Sequence, residues 1–350
     1  MSSQKLVRKR LFIFIALISA LIISSSSITN HGYFEFTKLV SAQTDPDQTK
    51  SNSTNLVDIQ DIPLKKVHVG DIDIAYKIIG SGDPILLISP AQGDMNGWEK
   101  SLLSTLSANH TVIVFDNRGV GNTSTGMKPF SIQQFANDTA GLMDTIKVQN
   151  ATVVGYSLGS FIAQQLAVTH PEKVNSLILI ASSCGGKESI PADTRNLEIV
   201  VDMINKVANG TAVPLEQVKE AISLGLGSGW MKLHPNVFEN TTLPDAKYLF
   251  PSITPENNLK QLDAAQKWFA KDDGVCEGLT KISVPTLILT GTDDVNVPTK
   301  NSLIITEKIP GSWLVQIKNA GHQIPGQYPD EINKILQTFL SIASHDNQIS

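Results

Sequence analysis

The chain is poor in cysteine: among its 350 residues only Cys184 and Cys276 occur. That excludes a disulfide-dense scaffold, and no Cys/His cluster has the spacing of a zinc site. Charge is also scarce and balanced, with 28 Lys and Arg against 33 Asp and Glu and a net charge of −5. No basic block occurs beyond the N-terminal leader, so nothing offers the clustered cations that nucleic-acid binding needs. Neither a Walker-type loop nor a Gly-x-Gly-x-x-Gly turn follows a strand pattern, so no phosphate-bearing cofactor is expected. An apolar run at residues 11–23, behind Lys5, Arg8, Lys9 and Arg10, has the length of a signal-peptide core and is short for a membrane span. Val40-Ser41-Ala42 before Gln43 has the small-x-small form of a cleavage site, although it lies far from that run. The alternative is an uncleaved anchor. Either form exports the remainder and leaves the positive flank inside. Residues 43–60, rich in Ser, Thr, Asn, Asp and Gln, read as a disordered linker.

What the chain does have is an alternation of strand and helix patterns. Residues 67–69 and 72–79 read as a hairpin around Gly70-Asp71. Residues 85–88, 111–115, 151–154 and 177–180 are continuously apolar runs, suited to strands buried on both faces of a parallel sheet. Amphipathic runs such as residues 131–147 lie between them, and the alternation predicts a doubly wound α/β sheet. The rhythm breaks at residues 185–273, where helix-like pieces at 193–209, 215–224 and 258–271 are punctuated by glycine and proline.

The chemistry-bearing residues fall at strand ends. Gly155-Tyr156-Ser157-Leu158-Gly159 sits between an apolar run and a helical run. A strand turning sharply into a helix holds its tip residue in a strained conformation, with the serine hydroxyl exposed to base and substrate. The strand pattern 285–291 runs into Thr292-Asp293-Asp294, and the strand pattern 313–317 is followed by Asn319-Ala320-Gly321-His322. Serine is a weak nucleophile that needs an imidazole to take its proton, and the imidazole needs a carboxylate to fix its tautomer. The chain order Ser157, Asp294, His322 fits that set, with the register from Gly291 favouring Asp294 over Asp293. His31, His68, His110, His170, His234 and His345 lack this context. His170 is expected where the helix behind Ser157 ends.

With Asp116-Asn117-Arg118-Gly119-Val120-Gly121-Asn122-Thr123-Ser124 added, the pattern resembles the α/β-hydrolase superfamily in its esterase and lipase-like branch. The resemblance spans about residues 67–340. It implies a mostly parallel eight-stranded sheet with a helical cap inserted after the sixth strand. The division is then core at 61–184, cap at 185–273 and core at 274–345, behind a signal peptide or anchor at 1–42 and the linker at 43–60. It also implies catalytic Ser157, Asp294 and His322, with the N–H groups of Leu158 and Ala91 forming the oxyanion hole. One motif departs from the family: Ser89-Pro90 stands where many relatives carry His-Gly. Trp230, Met231, Phe238, Phe250, Trp268 and Phe269 of the cap either line an apolar pocket or pack the cap onto the core. The implied activity is hydrolysis of a small-molecule carboxylic ester through an acyl-enzyme, without cofactor. A peptidase, a C–C bond hydrolase, a perhydrolase or a low-turnover binding protein on the same fold are the alternatives. Cys184 and Cys276 bracket the cap, and in an exported chain a bridge between them is conceivable. It is not expected, because Cys184 belongs at the top of its strand and Cys276 nearer the bottom of the next.

Overall fold

The computed structural model describes residues 56–191, 194–239, 252–270 and 273–346. The expected leader, most of the expected linker and Phe250 lie outside them. An eight-stranded sheet has the order β1-β2-β4-β3-β5-β6-β7-β8. The strands are β1 (Lys65–Val69), β2 (Ile72–Ile79), β3 (Asp83–Ile88), β4 (His110–Phe115), β5 (Ala151–Tyr156), β6 (Val174–Ile180), β7 (Thr286–Gly291) and β8 (Trp313–Ile317). Strand β2 pairs antiparallel with β1 and with β4, and every other pairing is parallel.

The apolar runs become central strands because both faces of the sheet are covered. Alternate residues of β3 and β4 face opposite layers. Leu86, Ile88, Ile113 and Phe115 pack with α2 (Ile132–Thr145) and α3 (Leu158–Thr169). Ile85, Leu87, Val112 and Val114 pack with α1 (Lys100–Ser107) and α10 (Pro329–Asp346). Strands β3, β4 and β6 begin two, one and three residues before the apolar runs, since pairing carries the ladder into polar positions. The folded chain also begins upstream of the expected Asp61. Ile59 is buried at 2% exposure, and its carbonyl accepts a bond from Lys77 Nζ at 2.7 Å, so the end of the expected linker belongs to the fold.

Between β6 and β7 the described residues form four α-helices and no sheet strand: α4 (Thr194–Ala208), α5 (Leu215–Leu226), α6 (Ser228–Leu233) and α7 (Pro255–Trp268), with an isolated antiparallel bridge from Ile253 to Val120. Helix α7 starts earlier than its apolar pattern. Thr254 Oγ1 accepts the Asn257 N–H at 3.2 Å, and Pro255 fills the first turn, where a missing N–H costs nothing. Trp230 and Trp268 are buried and Phe269 nearly so, at 1, 4 and 9% exposure, and Trp268 stacks on Phe161 of α3 with ring centroids 5.8 Å apart. These aromatics pack the helices onto the core.

Cys184 and Cys276 are disulfide-bonded, with Cα atoms 4.9 Å apart, which corrects the sequence-based expectation. After α7 the chain does not drop at once to the start of β7. It first crosses the top of β6, where Val275 N–H bonds the Cys184 carbonyl at 2.8 Å and Gly274 packs against the Gly185 backbone. Gly274 has φ +86, and a Cβ there would lie 2.6 Å from the Cys184 carbonyl oxygen. Only then does a 3-10 turn at Gly278–Lys281 lead down to β7. The bridge spans 92 residues of sequence, and closing so long a loop restricts the unfolded chain strongly. Urea unfolding of a Cys184→Ser/Cys276→Ser variant is expected to show a loss of about 2–4 kcal/mol. An unchanged midpoint at unchanged m-value would show that the bond contributes nothing.

Candidate active site

Ser157 closes β5 and precedes α3, with φ 53 and ψ −119. A non-glycine residue at positive φ is strained by roughly 1–3 kcal/mol, and the surrounding packing holds it there. The flanking glycines answer to close backbone approach. A Cβ on Gly155 would collide with the Gly159 carbonyl, and one on Gly159 with the Ile88 carbonyl at the end of β3. Helix α3 is thereby pressed onto the turn that follows β3. Ser157 Oγ lies 2.9 Å from His322 Nε2, and His322 Nδ1 lies 2.7 Å from Asp294 Oδ2. All three residues are buried, at 0, 0 and 4% exposure.

The carboxylate is fixed from behind. Asp294 Oδ1 accepts the N–H groups of Asn296 at 2.9 Å and Val297 at 2.8 Å, leaving Oδ2 for the imidazole. Asp293 points elsewhere: its Oδ2 accepts the Gly229 N–H at 2.7 Å and the Ser228 hydroxyl at 3.2 Å, tying the N-terminus of α6 to the loop. The structure therefore brings Asp294, not Asp293, to the histidine. His170 caps the C-terminus of α3, as expected.

Several supports of this arrangement carry no sequence signature. The Tyr156 hydroxyl donates to the His322 carbonyl at 3.0 Å, linking the elbow to the histidine loop. Gln327 accepts the Gly321 N–H at 2.9 Å and donates to the Leu226 carbonyl at 2.6 Å. Its distance of five residues from His322 follows no motif, so only the fold reveals it.

The turn after β3 carries Ala91, which packs in the same core cluster as Leu158. Gly93 N–H bonds the Pro90 carbonyl at 3.2 Å, and Gln92 sits at φ 65. Leu158 is the first residue of α3, so its N–H has no intrahelical acceptor. Among the described residues the Ala91 N–H has none either. Both residues are buried, at 0 and 1% exposure, and Pro90 between Ser89 and Ala91 lacks an N–H. Beneath the turn, Asn117 Nδ2 donates to the Ser89 carbonyl at 3.3 Å, and Asp116 accepts the Met95 and Asn122 N–H groups, each at 2.7 Å. Burial, and then the nearby Asp94 carboxylate, push the Asp116 carboxyl up to about 7 against the pull of those two bonds. Arg118, 1% exposed, holds the same loop through Asp138 at 2.8 Å and Asp71 at 2.7 Å. Burial works to discharge the guanidinium, but its bonds to Asp138 and Asp71 outweigh that and hold it above its ordinary range.

The family model described as alpha/beta hydrolase fold matches residues 83–326, from the start of β3 to just past His322. The chain belongs to the α/β-hydrolase fold family. As a member it is an enzyme of the hydrolase class. This hydrolase is 29% identical over 272 residues to a provisionally named carbamate hydrolase of Azorhizobium caulinodans, covering 78% of this chain and 96% of that protein. It is 28% identical to a provisionally named non-heme bromoperoxidase of Mycobacterium tuberculosis, covering 77% of this chain and 98% of that one. Among solved structures, an N-acyl homoserine lactone degrading enzyme aligns with TM-score 0.62 at 26% identity, over 79% of this hydrolase and 100% of that chain. A thermophilic esterase from Thermogutta terrifontis shares the fold with TM-score 0.63 at 23% identity, over 80% and 99% of the two chains.

Proposed function

We propose that the protein is a serine hydrolase that cleaves a small carboxylic ester through an acyl-enzyme. The reading rests on the unbroken series from the Ser157 hydroxyl through the His322 ring to the Asp294 carboxylate, at 2.9 and 2.7 Å. Ser157 Oγ attacks the ester carbonyl while His322 Nε2 takes its proton, and Asp294 stabilises the resulting imidazolium. The carbonyl oxygen becomes an oxyanion held by the N–H groups of Leu158 and Ala91. Collapse breaks the carbon–oxygen bond, and His322 returns the proton to the departing alcohol. Water then attacks the acyl-serine with the same histidine as base, releasing the acid and restoring the hydroxyl. The lactone-degrading structure supports an ester link as the bond cleaved, since a lactone is a cyclic ester.

In this reading α4 to α7 act as a cap, within residues 185–273, that keeps water from the buried site and shapes the acyl pocket. The Cys184–Cys276 bond supports an exported enzyme, because such bonds persist in oxidising compartments. Residues 1–42 would be the signal peptide or anchor.

The test is labelling with a fluorophosphonate, run beside p-nitrophenyl esters of increasing acyl length and an aminopeptidase substrate. Rapid labelling of wild type with turnover of the esters alone is the expected result. A folded wild-type protein that neither labels nor turns over any ester would overturn the proposal.

A further inference from the structure

The turn carrying Ala91 is not held by its own Gly93 N–H to Pro90 carbonyl bond alone. Gln92 adopts φ 65, a conformation that side-chain-bearing residues seldom take. In a four-residue turn, positive φ at the third position marks the form in which the central peptide is flipped relative to the common type I turn. The flipped peptide here is the one joining Ala91 to Gln92. Its N–H donates to Gln261 Oε1 at 2.7 Å, and Gln92 Nε2 donates to Asn258 Oδ1 at 2.6 Å. Both partners lie on α7, which the sequence places 166 to 169 residues away, and Gln92, Asn258 and Gln261 are each 0% exposed.

We infer that Gln261 and Asn258 are positioning residues for the oxyanion turn, so that α7 determines whether the Ala91 N–H is aimed at the reacting carbonyl. The inference rests on the serine-hydrolase reading above and explains how the site operates with Ser89-Pro90 in place of His-Gly. Pro90 fixes one φ of the turn and supplies no N–H, so the turn cannot secure itself through that peptide. The central peptide of the turn can stand in either orientation, and only the flipped one presents its N–H to α7. Gln261 Oε1 accepts that N–H and so selects this orientation. Without it, Gln92 relaxes toward negative φ, and the adjoining Ala91 peptide shifts with it. A misplacement of about 1 Å at a reacting group costs on the order of a hundredfold. The cluster is also not built for stability. Gln92 Oε1, Asn258 Nδ2 and Gln261 Nε2 are buried and have no partner among the described residues. Apolar side chains of similar volume would avoid that cost. Retention of three half-bonded amides fits a task that needs a directed acceptor.

The experiment compares wild type, Gln261→Met and Gln261→Glu. Methionine keeps the length and loses the strong acceptor, whereas glutamate keeps a carbonyl-type oxygen in either protonation state. The expected result is a fall in kcat of about 100-fold for Gln261→Met with KM within about threefold and an unchanged melting profile. Gln261→Glu should restore kcat to within about tenfold of wild type. A phenylboronate, which forms a charged tetrahedral adduct on the serine, should lose affinity in proportion to kcat. If Gln261→Met does not fold, Asn258→Leu carries the test with the same split between kcat and KM. Wild-type kcat in a folded Gln261→Met protein, or a loss seen in KM alone, overturns the inference while leaving the serine-hydrolase reading intact. An inactive, unlabelled wild type is instead a failure of that reading and removes the inference with it.

Discussion

Ser157→Ala is expected to lose about a million-fold in kcat toward p-nitrophenyl esters while keeping the fold. In the proposed mechanism the hydroxyl forms the acyl bond, so its removal should leave no nucleophile at the elbow. Ser160, the nearest serine in sequence, donates its hydroxyl to the Ser157 carbonyl at 2.6 Å and is committed to the backbone. The elbow should survive the change, since alanine is no bulkier than serine at φ 53. His322→Ala should fall by a similar amount, and the double variant by little more, because the two groups act as one unit. Stopped assays at high enzyme concentration, with melting curves for each variant, measure this. Ester turnover by folded Ser157→Ala above one part in a thousand of wild type would remove the serine from the mechanism.

The second largest effect falls on the carboxylate and separates two neighbours. Asp294→Asn should reduce kcat about ten-thousandfold, whereas Asp293→Asn should reduce it less than tenfold. Asp294 is boxed in by its partners. Oδ1 accepts two backbone N–H groups and Oδ2 faces His322 Nδ1. An asparagine amide must point its NH2 either at those N–H donors or at the ring. The first is repulsive, and the second forces the proton onto Nε2, where the hydroxyl needs an acceptor. Among the described residues the Asp293 carboxylate bonds Ser228, Gly229 and Thr292 and not the imidazole, and its backbone N–H to the Ala320 carbonyl survives the change, so its loss should appear as looser attachment of α6 and a lower melting temperature. Comparable loss of kcat in the two variants would assign the acid wrongly.

The sheet and the elbow were legible because their signals are local. A strand buried on both faces must be apolar throughout, and the pentapeptide records backbone contacts among Gly155, Gly159 and Ile88. The order of serine, acid and histidine follows from the strands that carry them. What escaped was long-range. Helix α6 has glycines at its start and is held by Asp293 from another loop, so its pattern alone is weak. The disulfide depended on the path of the chain after α7, which crosses the top of β6 before descending. The pairing of Gln92 with Asn258 and Gln261 joins an irregular turn to a helix far along the chain, and polar residues on a helix carry no mark of their target.

The crossing at Cys184 and Cys276 has a further consequence. The segment between them leaves the sheet and returns to it through one narrow neck, where Gly185 and Gly274 touch and a covalent link sits alongside. Such a segment is a cassette. A relative's counterpart grafted between the same two points should leave the strand registers as they are, and the amides of α7 that bond the turn at Gln92 would be exchanged with it.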